Sequence, residues 1–118
     1  MLEKKYRLKK RSAFNATYKI GKSFHKDGIT VFCGKTKTQD VVTKIGFVVS
    51  KKIHKRAVKR NRIKRLMRES VRLYIKDLSN FDTKFLSLVF VASSKLLDKN
   101  FSDIDPTIKK LMRIIKNA

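Results

Sequence analysis

Cysteine occurs once in the 118 residues, at Cys33. A lone cysteine excludes an internal disulfide, fits a reducing cytoplasm, and reads as a small apolar strand residue. Proline also occurs once and glycine four times. No Pro- or Gly-rich linker, internal repeat or low-complexity tract divides the chain, so a single domain over residues 1–118 is expected. No apolar run approaches the length of a membrane span. No apolar signal core follows the basic N-terminus, and the basic segments lack the aromatic and leucine face of an interfacial helix. No membrane partner and a cytoplasmic setting are therefore expected.

Acidic residues are scarce as well, nine against 31 Lys and Arg. A nuclease acting alone needs metal-binding carboxylates or a general base. The acids here are scattered, and Asp103 and Asp105, the only close pair, read as helix-capping residues. His25 and His54 lie far apart in the chain, and His54, within a basic run, reads as a donor to RNA or a merely exposed residue, not as a proton shuttle. No catalytic triad, metal-ligand spacing or Gly-rich phosphate loop is present. The residues describe a binder with no cofactor of its own.

What the chain has in excess is positive charge: formally +22, with a pI near 10.6. The apolar fraction of 42% is that of a globular protein, which excludes a disordered basic tail. Residues 51 to 68 read KKIHKRAVKRNRIKRLMR, ten cations in eighteen positions with no acid among them. Such self-repulsion destabilises a fold unless a polyanion offsets it. Ala57, Val58, Ile63, Leu66 and Met67 interrupt the run, so it folds against a core. A structured basic helix points first to nucleic acid.

Periodicity predicts a first helix over 13–20, started by Ser12 and ended by Gly21. Ala13, Ala16 and Ile20 form the face expected to dock, which leaves Phe14 and Tyr18 on a second, aromatic face. Strands are predicted over 29–33, 44–50 and 85–93. Ile29, Val31 and Cys33 share one face of the first, and Phe32 lies on the other. The last strand is apolar on both faces and therefore central. The long helix is predicted over 56–78, with Ile63, Leu66, Met67, Ser70, Val71, Tyr74 and Leu78 in one apolar arc. Asn61, Arg65, Arg68 and Arg72 lie opposite that arc, Arg62 and Lys64 flank them, and Arg60 falls near the apolar edge. A final helix is predicted from Asp105-Pro106, with Asp105 as its cap. The fold class is α+β: a small single-domain sandwich with helices packed on a mixed sheet of three to four strands, in the order αββ(β)αβα.

Lys51, Lys52, Arg56, Arg60, Asn61, Arg62, Lys64, Arg65 and Arg68 are the candidate RNA-binding residues. Helical residues three or four apart rise about 4.5–6 Å, close to the spacing of successive phosphates, and Arg offers paired donors to each. Phe14, Tyr18 and Phe32 are candidate stacking platforms for single-stranded bases. A ribosomal or nucleoid protein that coats polyanions would explain the charge equally well, but not the aromatic set. A protein-only nuclease is disfavoured by the scattered acids.

The stretch from Ser50 to Ser70, SKKIHKRAVKRNRIKRLMRES, resembles the signature of the bacterial ribonuclease P protein component. Its hallmark is Arg60-Asn61-Arg62, then Ile63-Lys64-Arg65, then Arg68-Glu69. The opening from Tyr6 to Phe24, YRLKKRSAFNATYKIGKSF, is similar to the start of that family. The turn before Ala57-Val58, His54-Lys55-Arg56, is one residue longer than in many members. The resemblance implies the protein subunit of an RNA-based endonuclease, with the catalytic RNA and precursor transfer RNA as partners. That RNA removes the 5′ leader by hydrolysis with magnesium ions, held mainly by the RNA. The resemblance also assigns the motif helix to the catalytic RNA, and Phe14, Tyr18 and Phe32 to a cleft that holds the single-stranded leader. It further implies a left-handed β-α-β crossover around the motif helix, against the usual right-handed preference.

Overall fold

The computed structural model describes residues 2–50, 56–76 and 82–118. Three helices and four strands follow in the order α1 (Arg11–Lys19), β1 (Lys22–Lys26), β2 (Ile29–Cys33), β3 (Lys44–Val49), α2 (Ala57–Lys76), β4 (Ser87–Ala92) and α3 (Phe101–Asn117). The strands form one mixed sheet in the order β1-β2-β4-β3. β2 is antiparallel to β1 and β4, whereas β3 runs parallel to β4. The β3-α2-β4 unit thus joins neighbouring parallel strands, the connection a β-α-β crossover requires.

The optional extra strand is β1, and its sequence, KSFHK, hides it. As an edge strand it has no buried residue, and Phe24 is its one hydrophobic side chain. The sequence signal that betrays it is Asp27-Gly28, where both residues have positive φ (46° and 88°) and close a two-residue hairpin between Lys26 and Ile29.

α2 and α3 cover one face of the sheet. Strand alternation turns Ile29, Val31, Cys33, Ile45, Val49, Leu88, Phe90 and Ala92 toward them. Ile63, Met67 and Val71 of α2 meet that face, together with Ile104, Ile108, Leu111, Met112 and Ile115 of α3. Burial pushes the Cys33 thiol up to about 11, against the opposing pull of Lys22 and Lys84, so this side chain behaves as a small apolar core residue. Phe47 stacks on Phe90 across β3 and β4, with centroids 5.7 Å apart. The N-terminal segment runs along the outer edge of β3, with Leu2 buried and the Leu8 amide donating to the Ile45 carbonyl.

Three sequence expectations are corrected. α1 begins at Arg11, after Lys10, and Ser12 is a helical residue, not its cap. α3 begins at Phe101, four residues before Asp105, because Asn100 starts it and its amide donates to Asp103 Oδ2 (3.1 Å). Pro106 then sits in the second turn and forfeits only a hydrogen bond to the exposed Ser102. Asp105 instead ties two helices together: it accepts from Ser70 Oγ of α2 (2.6 Å) and pairs with Lys109 (2.9 Å). That partner explains a serine inside the apolar arc of α2. The third correction, the docking face of α1, belongs to the site described below.

The loop between β2 and β3 is pinned to the segment before β4. The Asp82 carboxylate accepts from Lys37 Nζ and from the Thr83 amide (2.9 Å), and Thr43 Oγ1 donates to the Phe85 carbonyl (2.8 Å). Burial works to raise the Asp82 pKa, but these donors, Lys37 foremost, outweigh it and hold the carboxyl below its ordinary value. A depressed folded pKa stabilises above the unfolded value, near 3.9, and that contribution is lost as pH falls through the lower folded value. Asp82→Asn is therefore expected to flatten the acid limb of a Tm-against-pH curve below about pH 4. An acid limb identical to that of the parent would show that the clamp adds nothing.

Candidate nucleic-acid interface

Two surfaces carry the chemistry, and they meet at the edge of β3. The first is the outward side of α2. Asn61 and Arg65 are exposed, while Arg60, Arg62, Lys64 and Arg68 are half-buried along their stems. Among the described residues, none of these cations forms an ion pair. The one nearby acid, Glu69, is taken by Arg72, which donates to it through Nε (3.0 Å) and Nη2 (2.5 Å). That hydrogen bond holds the Glu69 carboxyl below its usual value, so it stays charged and committed to Arg72. Among the described residues, the cationic face therefore has no carboxylate to neutralise it.

Two of its members turn toward the fold. Arg60, near the apolar edge as the periodicity predicts, has its Nε enclosed with no hydrogen-bond partner among the described residues. Arg68 does not point away from the fold. Because α2 lies along β3, the Arg68 guanidinium is carried over the Phe47 ring, 5.9 Å from its centroid. Arg56 is exposed just before the helix. Lys51, Lys52 and, from the longer turn, His54 and Lys55 lie outside the described residues, as does Leu78 of the apolar arc.

The second surface is the sheet face turned away from α2 and α3. Its register places Ser23, Phe32, Val89 and Gly46 in one transverse row across the four strands. α1 lies over β2 and β4 and docks on this row. It does so through Phe14, Thr17 and Tyr18, whereas of the expected face Ala16 and Ile20 are exposed and Ala13 alone is half-buried. The expected docking face is thus overturned. The two rings bury far more apolar area than two alanines, about 150–250 Å² each, and the outer sheet face supplies matching partners. Tyr18 meets Phe32 edge-on with centroids 5.0 Å apart. Buried Thr17 shares a 2.6 Å hydrogen bond with Ser87 Oγ. Phe14 lies on Gly46, where a Cβ would overlap its ring carbons.

Phe14, Tyr18 and Phe32 are therefore gathered on one face, each half-buried with part of its ring open to solvent. Burial raises the Tyr18 pKa, which keeps its phenol neutral and able to donate. The next row, His25, Thr30, Val91 and Val48, continues the floor beyond α1 and is partly open. These residues were not singled out from sequence, although their off-core parity in the strands marks them. Gly46 was also missed; its signal is a glycine inside a strand, which allows close approach by a neighbour. Gly46→Val is expected to lift Phe14 off the sheet and weaken single-stranded RNA binding several-fold, while the cationic helix binds structured RNA as before. Undiminished single-strand binding would remove Phe14 from the groove.

Among the described residues no three His, Cys, Asp or Glu side chains converge to hold a metal ion. No described helix is long and apolar enough to cross a membrane.

A sequence profile of the family described as Ribonuclease P matches residues 2–116. The ribonuclease P protein component of Clostridioides difficile (strain 630) is 38% identical over 109 residues, covering 90% of this chain and 88% of that one. Its counterpart in Clostridium kluyveri is 38% identical over 111 residues, covering 92% of each chain. Among solved structures, the Staphylococcus aureus RNase P protein superposes with a TM-score of 0.77 at 29% identity, over 95% of this chain and 98% of that one. The Thermotoga maritima protein, in complex with 1-(4-fluorophenyl)-2-thiourea, gives a TM-score of 0.69 at 25% identity, over 95% and 99%.

Proposed function

This chain belongs to the ribonuclease P protein family, and on that premise we propose that it is the protein subunit of a ribonucleoprotein endonuclease that removes the 5′ leader of precursor transfer RNA. The observation that carries the reading is the α2 face, where Arg60, Asn61, Arg62, Lys64, Arg65 and Arg68 stand in the family motif with no carboxylate among the described residues paired to the cations. Their partner is the phosphate backbone of the catalytic RNA, bound with release of its counterions. Lys51, Lys52 and Arg56 extend the same basic stretch. Phe14, Tyr18 and Phe32 stack on bases of the single-stranded leader, with Val48 and Val91 as its apolar floor.

The hydrolysis belongs to the RNA. The described residues of the protein assemble no carboxylate donor set, and magnesium ions held mainly by the RNA would activate the water and stabilise the departing oxygen. The protein binds and orients: it fixes the leader at one end of the scissile bond, which converts substrate binding energy into position. Such a complex works in the cytoplasm, where precursor transfer RNA is made.

The test is cleavage of precursor transfer RNA at low magnesium by the purified chain, with and without the catalytic RNA. Efficient cleavage is expected only with both present. Equal cleavage without the RNA would make the chain a nuclease in its own right, and an RNA that cleaves no better with the chain would leave it a structural polyanion binder.

A further inference from the structure

A hollow of about 310 Å³ lies on the outer edge of β3, between the N-terminal segment and α2. Arg7, Lys9, Phe14, Gly46, Phe47 and Arg68 carry its chemistry. Phe14 and Gly46 belong to the aromatic face and Arg68 to the cationic helix, so the hollow is where the two surfaces join. Its third component, the N-terminal segment, has no role in either surface.

Its electrostatics are one-sided. No acidic side chain lines it, and none of Arg7, Lys9 and Arg68 forms an ion pair among the described residues. The Arg7 Nε donates to the Leu2 carbonyl (2.7 Å), which anchors that guanidinium and leaves its terminal nitrogens for another acceptor. Arg68 is held over the Phe47 ring. Three cationic side chains lining one concave site repel one another unless an anion occupies it. The volume is that of roughly ten waters, more than a bare ion needs and enough for one phosphodiester with its ribose.

We propose that this hollow binds one phosphodiester of the precursor's leader strand through Arg7, Lys9 and Arg68, joining the aromatic groove and the cationic helix into one continuous strand path. This rests on the leader-groove reading above. The leader, not the catalytic RNA, is the occupant because Phe14 lines both the groove and the hollow. A narrow site beside ring faces also suits an unpaired strand, whose backbone can follow a groove while its bases stack. Arg68 thereby serves the substrate as well as the helix face on which it sits.

The experiment uses the reconstituted complex of this chain with the catalytic RNA. Precursors carrying a single neutral methylphosphonate at successive leader linkages are bound to the parent and to the Arg7→Ala/Lys9→Ala variant. The parent is expected to lose affinity about five- to tenfold at one linkage. The variant is expected to be insensitive at that linkage while keeping its affinity for mature transfer RNA and for the catalytic RNA. Because Arg7 also anchors Leu2, Lys9→Gln alone, at an exposed position, should give the same linkage-specific effect at smaller size. A uniform response across all linkages overturns the proposal, and so does weakened assembly with the catalytic RNA, which would assign the hollow to that RNA. Phe32→Ala separates the two readings. If it lowers leader affinity while no linkage depends on Arg7 or Lys9, the groove stands and the hollow fails; if Phe32→Ala changes nothing, the groove reading itself has failed.

Discussion

Replacing Arg65 and Arg68 together by alanine is expected to weaken binding of the catalytic RNA on the order of a hundredfold, and to lower the slope of log K against log salt by about two units. A hydrogen bond to a charged group contributes roughly 1.5 kcal/mol at the lower end, and 1.4 kcal/mol is a factor of ten, so two such contacts give that loss. Each phosphate contact removed takes about one unit from the salt slope. The alternative cause of weakening would be a damaged fold, and the structure argues against it. Arg65 is exposed, and neither arginine leaves a carboxylate unpaired, since Glu69 is held by Arg72. Removing two cations from so basic a chain also relieves repulsion in the free protein. What the fold loses is the contact of the Arg68 guanidinium with the Phe47 ring, and a thermal melt of the double variant measures that directly. Affinity is to be followed by titration at several salt concentrations. An unchanged slope would mean that this face of α2 does not meet phosphate.

The second large effect is expected from Phe32→Ala in the assembled enzyme. Stacking on an aromatic side chain is worth about 1–3 kcal/mol per base, which corresponds to roughly a five- to 150-fold weaker hold on leader-bearing precursor. Mature transfer RNA has no leader, so its affinity should stay the same. Phe32 also supports the edge-on Tyr18 ring, so its truncation loosens the platform beside it and pushes the loss toward the upper end. Phe32→Leu separates stacking from packing: it keeps most of the apolar volume under Tyr18 but has no planar face. Binding is expected to remain weak with leucine while stability recovers. Equal losses for precursor and mature transfer RNA would detach these rings from the leader.

The elements that carry strong periodicity were legible in the chain. The apolar arc of α2 and the alternation of β2 and β3 emerged because burial on one face imposes a repeat on the residues themselves, and β4, apolar on both faces, was legible as a central strand. β1 was barely legible, since an edge strand need bury almost nothing. Helix boundaries were legible where only one local device competes, as with Gly21 after α1, whose φ of 77° suits glycine. They failed where two compete, as at α3, where Asn100 with Asp103 starts the helix ahead of Asp105-Pro106. The docking face of α1 was misread because a helical projection ranks faces by pattern and cannot weigh what lies opposite. Here Phe32, Val89 and a side chain missing at Gly46 decided which face turns inward.

For this protein, composition and local order alone pointed to a polyanionic partner, to the helix that carries the densest positive charge, and to the family motif along it. Charge sign and helical period are properties of neighbours along the chain, so they need no folded context. The three-dimensional fold alone decided that Phe14 and Tyr18 from α1 and Phe32 from β2 share one groove, and that Arg68 and Phe14 face one hollow around β3. These residues lie far apart in sequence, and only strand order and register, set by burial of the opposite face of the sheet, bring them together.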